Sequence, residues 1–200
     1  MVKRSSVFQN KIVPIALLLL VLGLSACASG AKPGAMLPPN SPQTTIAPNS
    51  NLREAVAIGQ VSGGRETNPL WVSDVSSADR AETLRLSLAA RTMLTIRNER
   101  FRLEASLIQL QQPMMGVDMT VTSRINYRLI RVADNAIAYE REITAPFTAA
   151  FSSSFYGVER LRLANEGSIR ENIAQFLAAL IAAEAENPAA FGRGNRPRTS

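Results

Sequence analysis

From Val117 to Val132 the chain gives its clearest strand signal, an alternation between two kinds of side chain. Val117, Met119, Val121, Ile125, Tyr127 and Leu129 point one way, and Asp118, Thr120, Thr122, Arg124, Asn126 and Arg128 point the other. A period of two places successive side chains on opposite faces of a pleated strand, so this stretch can only be satisfied in a sheet with one face buried and one wet. Phe101, Leu103, Ala105 and Leu107 repeat the pattern against Arg102, Glu104 and Ser106. Pro113 and Gly116 separate the two runs, and Asp134-Asn135 turns the chain into a further strand from Ile137 to Thr144, so three strands form an antiparallel meander.

Helical patterns flank the meander. Ala55 to Val61 reads as a first strand closed by Ser62-Gly63-Gly64-Arg65. The two glycines read as a turn, because no Gly-Lys-Ser/Thr follows to make a phosphate loop. Ser76 with Asp79 three residues on is an N-cap pair for a helix from Ala78 to about Leu94. Its inner stripe is Ala81, Leu84 and Leu88, and Arg80, Glu82, Arg85 and Arg91 are expected on the solvated side. Gly157 opens a second helix to about Glu186, with Val158, Leu161, Ile169, Ile173, Phe176, Leu177, Leu180 and Ile181 at helical spacing and Gly167 costing about 1 kcal/mol against Ala. Pro146 should start a loop carrying Phe147, Phe151, Phe155 and Tyr156. The expected fold is α+β, a four-stranded mainly antiparallel sheet with two helices packed on one face, in the order β-α-β-β-β-α. About 130 residues suffice to bury such a core without staples.

The N-terminus says where such a domain would work. Lys3, Arg4 and Lys11 precede an apolar run from Ile12 that ends in small residues, the layout of an export signal. The run to Ala26 is about 15 residues, short of the ~20 that span a bilayer as a helix. Leu24-Ser25-Ala26-Cys27 closes it. This resembles the lipobox of bacterial lipoproteins, which implies a diacylglyceryl group on the Cys27 thiol, removal of residues 1–26, and a membrane anchor at Cys27. The alternative is ordinary cleavage after Ala28. Several acyl chains hold a protein stably, where one holds it marginally. Ala28, where an inner-membrane retention signal would place Asp, favours the outer membrane, periplasmic face, with the inner membrane as the alternative.

The domain division that follows is a signal at 1–26, a Pro-, Gly- and Ser-rich tether at 27–51, one α+β domain at 52–187 and a disordered Arg-rich tail at 188–200. The tether, with Pro33, Gly34, Pro38, Pro39, Pro42 and Pro48, reads as a flexible coil of ~25 to 30 Å that lifts the domain off the bilayer.

Charge and residue content narrow the chemistry. The formal charge of +6 resides in the two ends, since Arg53 to Glu186 holds fifteen Arg against sixteen Asp and Glu. A near-neutral domain lacks the gathered cations that displace phosphate counterions, so nucleic acid is not an expected partner. The chain has no His and a single Cys, which removes His-based general bases, most catalytic zinc sites and any disulfide. After cleavage Lys32 is the one remaining Lys, so a Ser-Lys dyad in the fold is excluded. Glu140 with Glu142, and Asp79 with Glu82, read as solvated charges, and Ser152-Ser153-Ser154 lacks a nucleophile elbow. No cofactor and no catalysis are expected.

Two sets of residues remain as binding candidates. Arg124 and Arg128 face outward from the sheet. Trp71, Phe147, Phe151, Phe155 and Tyr156 could line a lipid groove or a protein interface, but filling the gap between sheet and second helix is the favoured reading. Met114 and Met115 would form an exposed hairpin tip. The lipobox, tether and element order are similar to a group of small periplasmic α+β lipoproteins, including the lipopolysaccharide-assembly lipoprotein and the auxiliary lipoproteins of lipid-exporting ABC systems. That resemblance covers Cys27 and the topology from Ala55 to Glu186, and implies a non-enzymatic protein that docks on an envelope protein partner; the alternative is a lipid-binding carrier with an apolar groove between helices and sheet.

Overall fold

The computed structural model describes residues 30–64, 74–113 and 116–192. The sheet contains β1 (Val56–Ser62), β2 (Phe101–Gln111), β3 (Met119–Arg131) and β4 (Ile137–Ala149) in that spatial order. β1 runs parallel to β2, and the other two pairings are antiparallel. The parallel pair requires a crossover, which α1 (Ser77–Ala89) supplies. The second helix, α2 (Gly157–Glu186), lies on β3 and β4. Both helices share one apolar cluster with the inner sheet face: Leu84 and Leu88 from α1, Ile169, Ile173, Phe176 and Leu177 from α2, and Phe101, Leu103, Ile125 and Leu129 from the strands. Tyr127 stacks on Phe176 with ring centroids 4.0 Å apart. The expected α+β order and one-sided helix cover are therefore present.

Several boundaries differ from the sequence reading, each for a physical reason. α1 stops at Ala89 because Thr92 adopts φ 56°, letting the Met93 amide return to Leu88 O (2.9 Å) and the Thr92 amide to Ala89 O (3.0 Å). That is a Schellman closure, with Thr in the place usually taken by Gly. β4 continues through Pro146 to Ala149, because β4 is the outer strand and Pro146 can direct its missing N–H away from the ladder. Val117 falls outside β3 and is 70% exposed. Residues 188–192 are ordered: Phe191 is buried beside Phe101, and Arg131 Nη2 donates to Ala190 O (3.0 Å).

The largest correction concerns residues 30–51. In place of a free coil they form a strap with 3-10 turns at Pro33–Met36 and Pro42–Thr44. Ala31, Met36 and Ile46 are buried in the same apolar cluster as the two helices. Polar hooks fix the strap's course along α2: the Lys32 amide donates to Glu166 Oε1 (2.9 Å), Arg170 Nη1 to Ala35 O (2.8 Å), and Ser50 Oγ to Glu184 Oε2 (2.6 Å). The strap thus runs in the same direction as α2.

The strap also explains why Arg91 is buried instead of solvated. Its guanidinium donates to Ser87 O, Pro38 O, Pro39 O and Thr44 Oγ1, capping carbonyls that Pro-rich backbone cannot pair with itself. Arg80, also expected on the wet side, is buried and donates to Ser62 O (3.0 Å) and Gly63 O. Burial pulls its pKa down to about 10.

Gly167 is used for close approach. A Cβ there would stand 2.2 Å from Phe147 Cδ1 and 2.4 Å from its Cγ, so the Phe147 ring of β4 rests on bare helix backbone. Gly167→Ala is expected to destabilise by about 1 to 2 kcal/mol, as an overpacking cost of ~1–3 kcal/mol exceeds the ~1 kcal/mol gain in helix propensity. Chemical denaturation should show the cost vanish, or reverse, when Phe147→Ala is present in both parent and variant.

Candidate functional site

The sheet face turned away from the helices carries a charge lattice. Cross-strand register sets Glu104 opposite Arg128 and Arg128 opposite Glu140. Arg128 lies 3.5 Å from Glu104 and 3.6 Å from Glu140, Arg124 lies 3.6 Å from Glu142, and Asn126 Nδ2 donates to Glu140 Oε1 at 3.0 Å. These side chains are all partly exposed, so each pair is worth at most ~1 kcal/mol to the fold. Such a lattice contributes little to stability and offers alternating charge to whatever approaches.

A groove of about 270 Å³ opens on the same face. It is lined by Gln60, Ser62, Glu104, Ser106, Asn126 and Arg128, beside the register shift between Ile58 and Val61 in β1. Arg124 and Arg128, singled out from the sequence, therefore share one face, and Arg128 reaches the groove.

The aromatic residues separate into two environments. Phe147 is half-buried on Gly167, with the Arg170 guanidinium 5.4 Å from its ring centre. Phe151, Phe155 and Tyr156 point outward and are 46%, 88% and 78% exposed. The reading that the aromatic group fills the gap between sheet and second helix holds for Phe147, which packs against Gly167, and is corrected for Phe151, Phe155 and Tyr156: Phe101, Tyr127, Tyr139 and Phe176 occupy that space. Phe151 and Phe155 meet edge to face at 6.1 Å, and Arg160 lies 5.0 Å over Phe151 while its Nη1 donates to Ser154 O. Asp118 Oδ1 accepts the Phe151 amide (2.9 Å), tying the β4–α2 connection to the start of β3. Cys27, Trp71, Met114 and Met115 lie outside the described residues.

Sequence reasoning missed a buried polar seam between β3 and α2. Tyr127 Oη donates to Asn172 Oδ1 (2.9 Å), Asn172 Nδ2 donates to Ser123 O (3.1 Å) and Ile143 O (3.0 Å), and Ser168 Oγ bridges Ser123 and Ala145. Ser123, Ser168, Asn172 and Tyr127 are all fully buried. Burial pushes the Tyr127 hydroxyl up, away from any role as a proton carrier near neutrality. A seam closed to solvent on every side positions α2 on the sheet and has no access for a substrate. The one signal for it was Ser123, a polar residue at an inward position of an otherwise apolar run.

The carboxylate pairs weighed from the sequence are engaged. Asp79 caps α1 with Ser76, and Glu82 accepts two hydrogen bonds from Arg85, which hold its carboxyl below the usual range. Among the described residues no helix is long and apolar enough to cross a membrane.

No protein-family model matches the chain, and no curated protein matches it. Solved structures do. A Xanthomonas campestris protein described by the family model DUF330 superposes with a TM-score of 0.54 at 11% identity, over 72% of this chain and 93% of that one. A minor lipoprotein of Acinetobacter baumannii gives 0.40 at 10% identity over 64% and 95%, and the PelC dodecamer of Paraburkholderia phytofirmans 0.39 at 17% identity over 64% and 94%. The first of these likenesses places the fold among known bacterial α+β domains.

Proposed function

We propose that this chain is a bacterial lipoprotein held by acylated Cys27 on the periplasmic face of the outer membrane, where it assists envelope assembly or lipid transport by docking, without catalysis, on a membrane protein partner. The anchor rests on the Leu24-Ser25-Ala26-Cys27 lipobox. The docking role rests on one observation above all: the sheet face that no described element covers, where Arg124 and Arg128 stand in a lattice of compensated charges next to a polar groove. Alternating charge suppresses wrong partners and sets register with the right one more than it adds raw affinity. Confinement to the membrane supplies the effective concentration that a modest interface needs.

The reading is tested by the Arg124→Glu/Arg128→Glu variant, purified by affinity from gently solubilised membranes. The variant should stay folded with a loss of about 3 kcal/mol or less, because the three broken pairs are exposed and worth at most ~1 kcal/mol each, and should lose its co-purifying membrane protein at least tenfold. Unchanged recovery of that protein would rule out this face. Mass spectrometry of the N-terminal peptide in the same preparation reads the lipid on Cys27, and an unmodified Ser29 N-terminus would rule out the anchor.

A further inference from the structure

We infer that the end of the molecule built from Phe151, Phe155 and Tyr156 lies in the headgroup–acyl boundary of the bilayer, as a second membrane contact beside the lipid. This deepens the proposed function and rests on its reading of Cys27.

The first observation is the surface itself. Phe155 and Tyr156 are 88% and 78% exposed, and Val117, Phe151 and Val158 adjoin them at the same end of the sheet and α2. Nothing in the core needs these side chains. Of the nearby acids, Asp118 accepts the Phe151 amide and Glu159 pairs with Arg162. Exposed aromatic rings, one with a polar hydroxyl, are suited to the membrane interface, where one end of the side chain is apolar and the other wet.

The second observation says what covers the patch. The strap enters the fold where the Lys32 amide meets Glu166, in the third turn of α2, and runs from there away from Gly157. Cys27 precedes Lys32 by five residues, a reach of at most about 17 Å. An acylated Cys27 therefore holds the N-terminal end of α2 close to the bilayer, and that is the end where Phe155 and Tyr156 stand. A free 25-residue tether would have left the domain's orientation open; a strap packed from Ala31 onward fixes it. With this end down, β3 starts at the membrane, and Arg124 and Arg128 stand up to about 17 and 30 Å along it, at ~3.3 Å per residue. The charged face is then presented sideways to the periplasmic part of a membrane protein.

The test uses the lipidated full chain in vesicles of phosphatidylethanolamine and phosphatidylglycerol. Cys27 is the single Cys of the sequence and its sulfur is consumed by the lipid, so Phe155→Cys provides one reactive thiol for a fluorescent label. Ile96→Cys, 87% exposed at the opposite end of the sheet, is the control for an exposed apolar site. Nitroxide lipids with the spin at a shallow acyl position should quench the label at residue 155 several-fold more than at residue 96. Equal quenching at both, or none at 155 in vesicles that carry the protein, would overturn the inference while leaving the anchor intact. A label at 155 shielded from water but not quenched by lipid, in a chain that self-associates, would assign the patch to a second copy and also overturn it. The anchor is read separately: the parent chain should take no label, and labelling at Cys27 would overturn the lipid reading, after which quenching at 155 in the unlipidated chain with Cys27→Ser, again a single-thiol protein, would still support the patch and its absence would overturn it.

Discussion

Asn172→Leu is expected to destabilise the protein by about 3 kcal/mol or more, although Leu matches Asn in heavy-atom count and branching and is a better helix former. The Asn172 side chain sits with full burial between α2 and two strands, accepting from Tyr127 Oη and donating to Ser123 O and Ile143 O. Leu removes these partners together and leaves the Tyr127 hydroxyl and the carbonyls without that donor or acceptor. A buried polar group left unmade costs ~1–3 kcal/mol, far more than the ~1 kcal/mol net value of an average hydrogen bond. Set against a total stability of about 5–15 kcal/mol for a domain, this is a large fraction. Denaturant unfolding should show a lower midpoint at an unchanged m-value. Tyr127→Phe added to Asn172→Leu should recover part of the loss, because the hydroxyl that lost its acceptor is then gone as well. A cost below about 1 kcal/mol, or no recovery, would mean that water or rearrangement replaces the seam.

The seam shows why some of this fold was legible in the sequence and some was not. Strand β3 and helix α2 declare themselves because burial repeats along them with one period, and a period survives one or two exceptions. Ser123 was such an exception, and its meaning depends on Ser168 and Asn172, which are 45 and 49 residues away and adjacent only once α2 lies on the sheet. The strap was illegible for a different reason. Its composition is that of a coil, and it is held by a few spaced anchors, Ala31, Met36 and Ile46, and by side chains of other elements that cap its carbonyls. No local pattern distinguishes Arg91 capping a Pro39 carbonyl from Arg85 paired with Glu82 on the surface. The outward face of Arg124 and Arg128 followed directly from alternation. The aromatic residues did not, since Phe and Tyr announce apolar area without saying whether it faces a core or a second phase.

The strap gives the second large effect, and the one that separates the composition-based reading from the structure most cleanly. Met36 is fully buried within the cluster that also holds Leu52, Leu84 and Ile169. Truncating a buried Met to Ala costs ~2–5 kcal/mol, and Met36→Asp adds a carboxyl to an apolar site that must be desolvated or drawn out. The strap has a way to relieve this: residues 30–51 can detach, releasing the carbonyls held by Arg91 and Arg170 and the amide held by Glu166. Met36→Asp should therefore lose at least 3 kcal/mol in unfolding, with faster hydrogen exchange at Ala35, Leu37 and Asn51 even below the transition. A free tether would show no change in either measurement. In lipidated protein the detached strap restores a leash of ~25 to 30 Å between Cys27 and the domain. Quenching of a label at residue 155 by shallow nitroxide lipids should then fall in Met36→Asp while the protein stays on the vesicle, because the acyl chains still hold Cys27 and only the orientation imposed by the strap has gone.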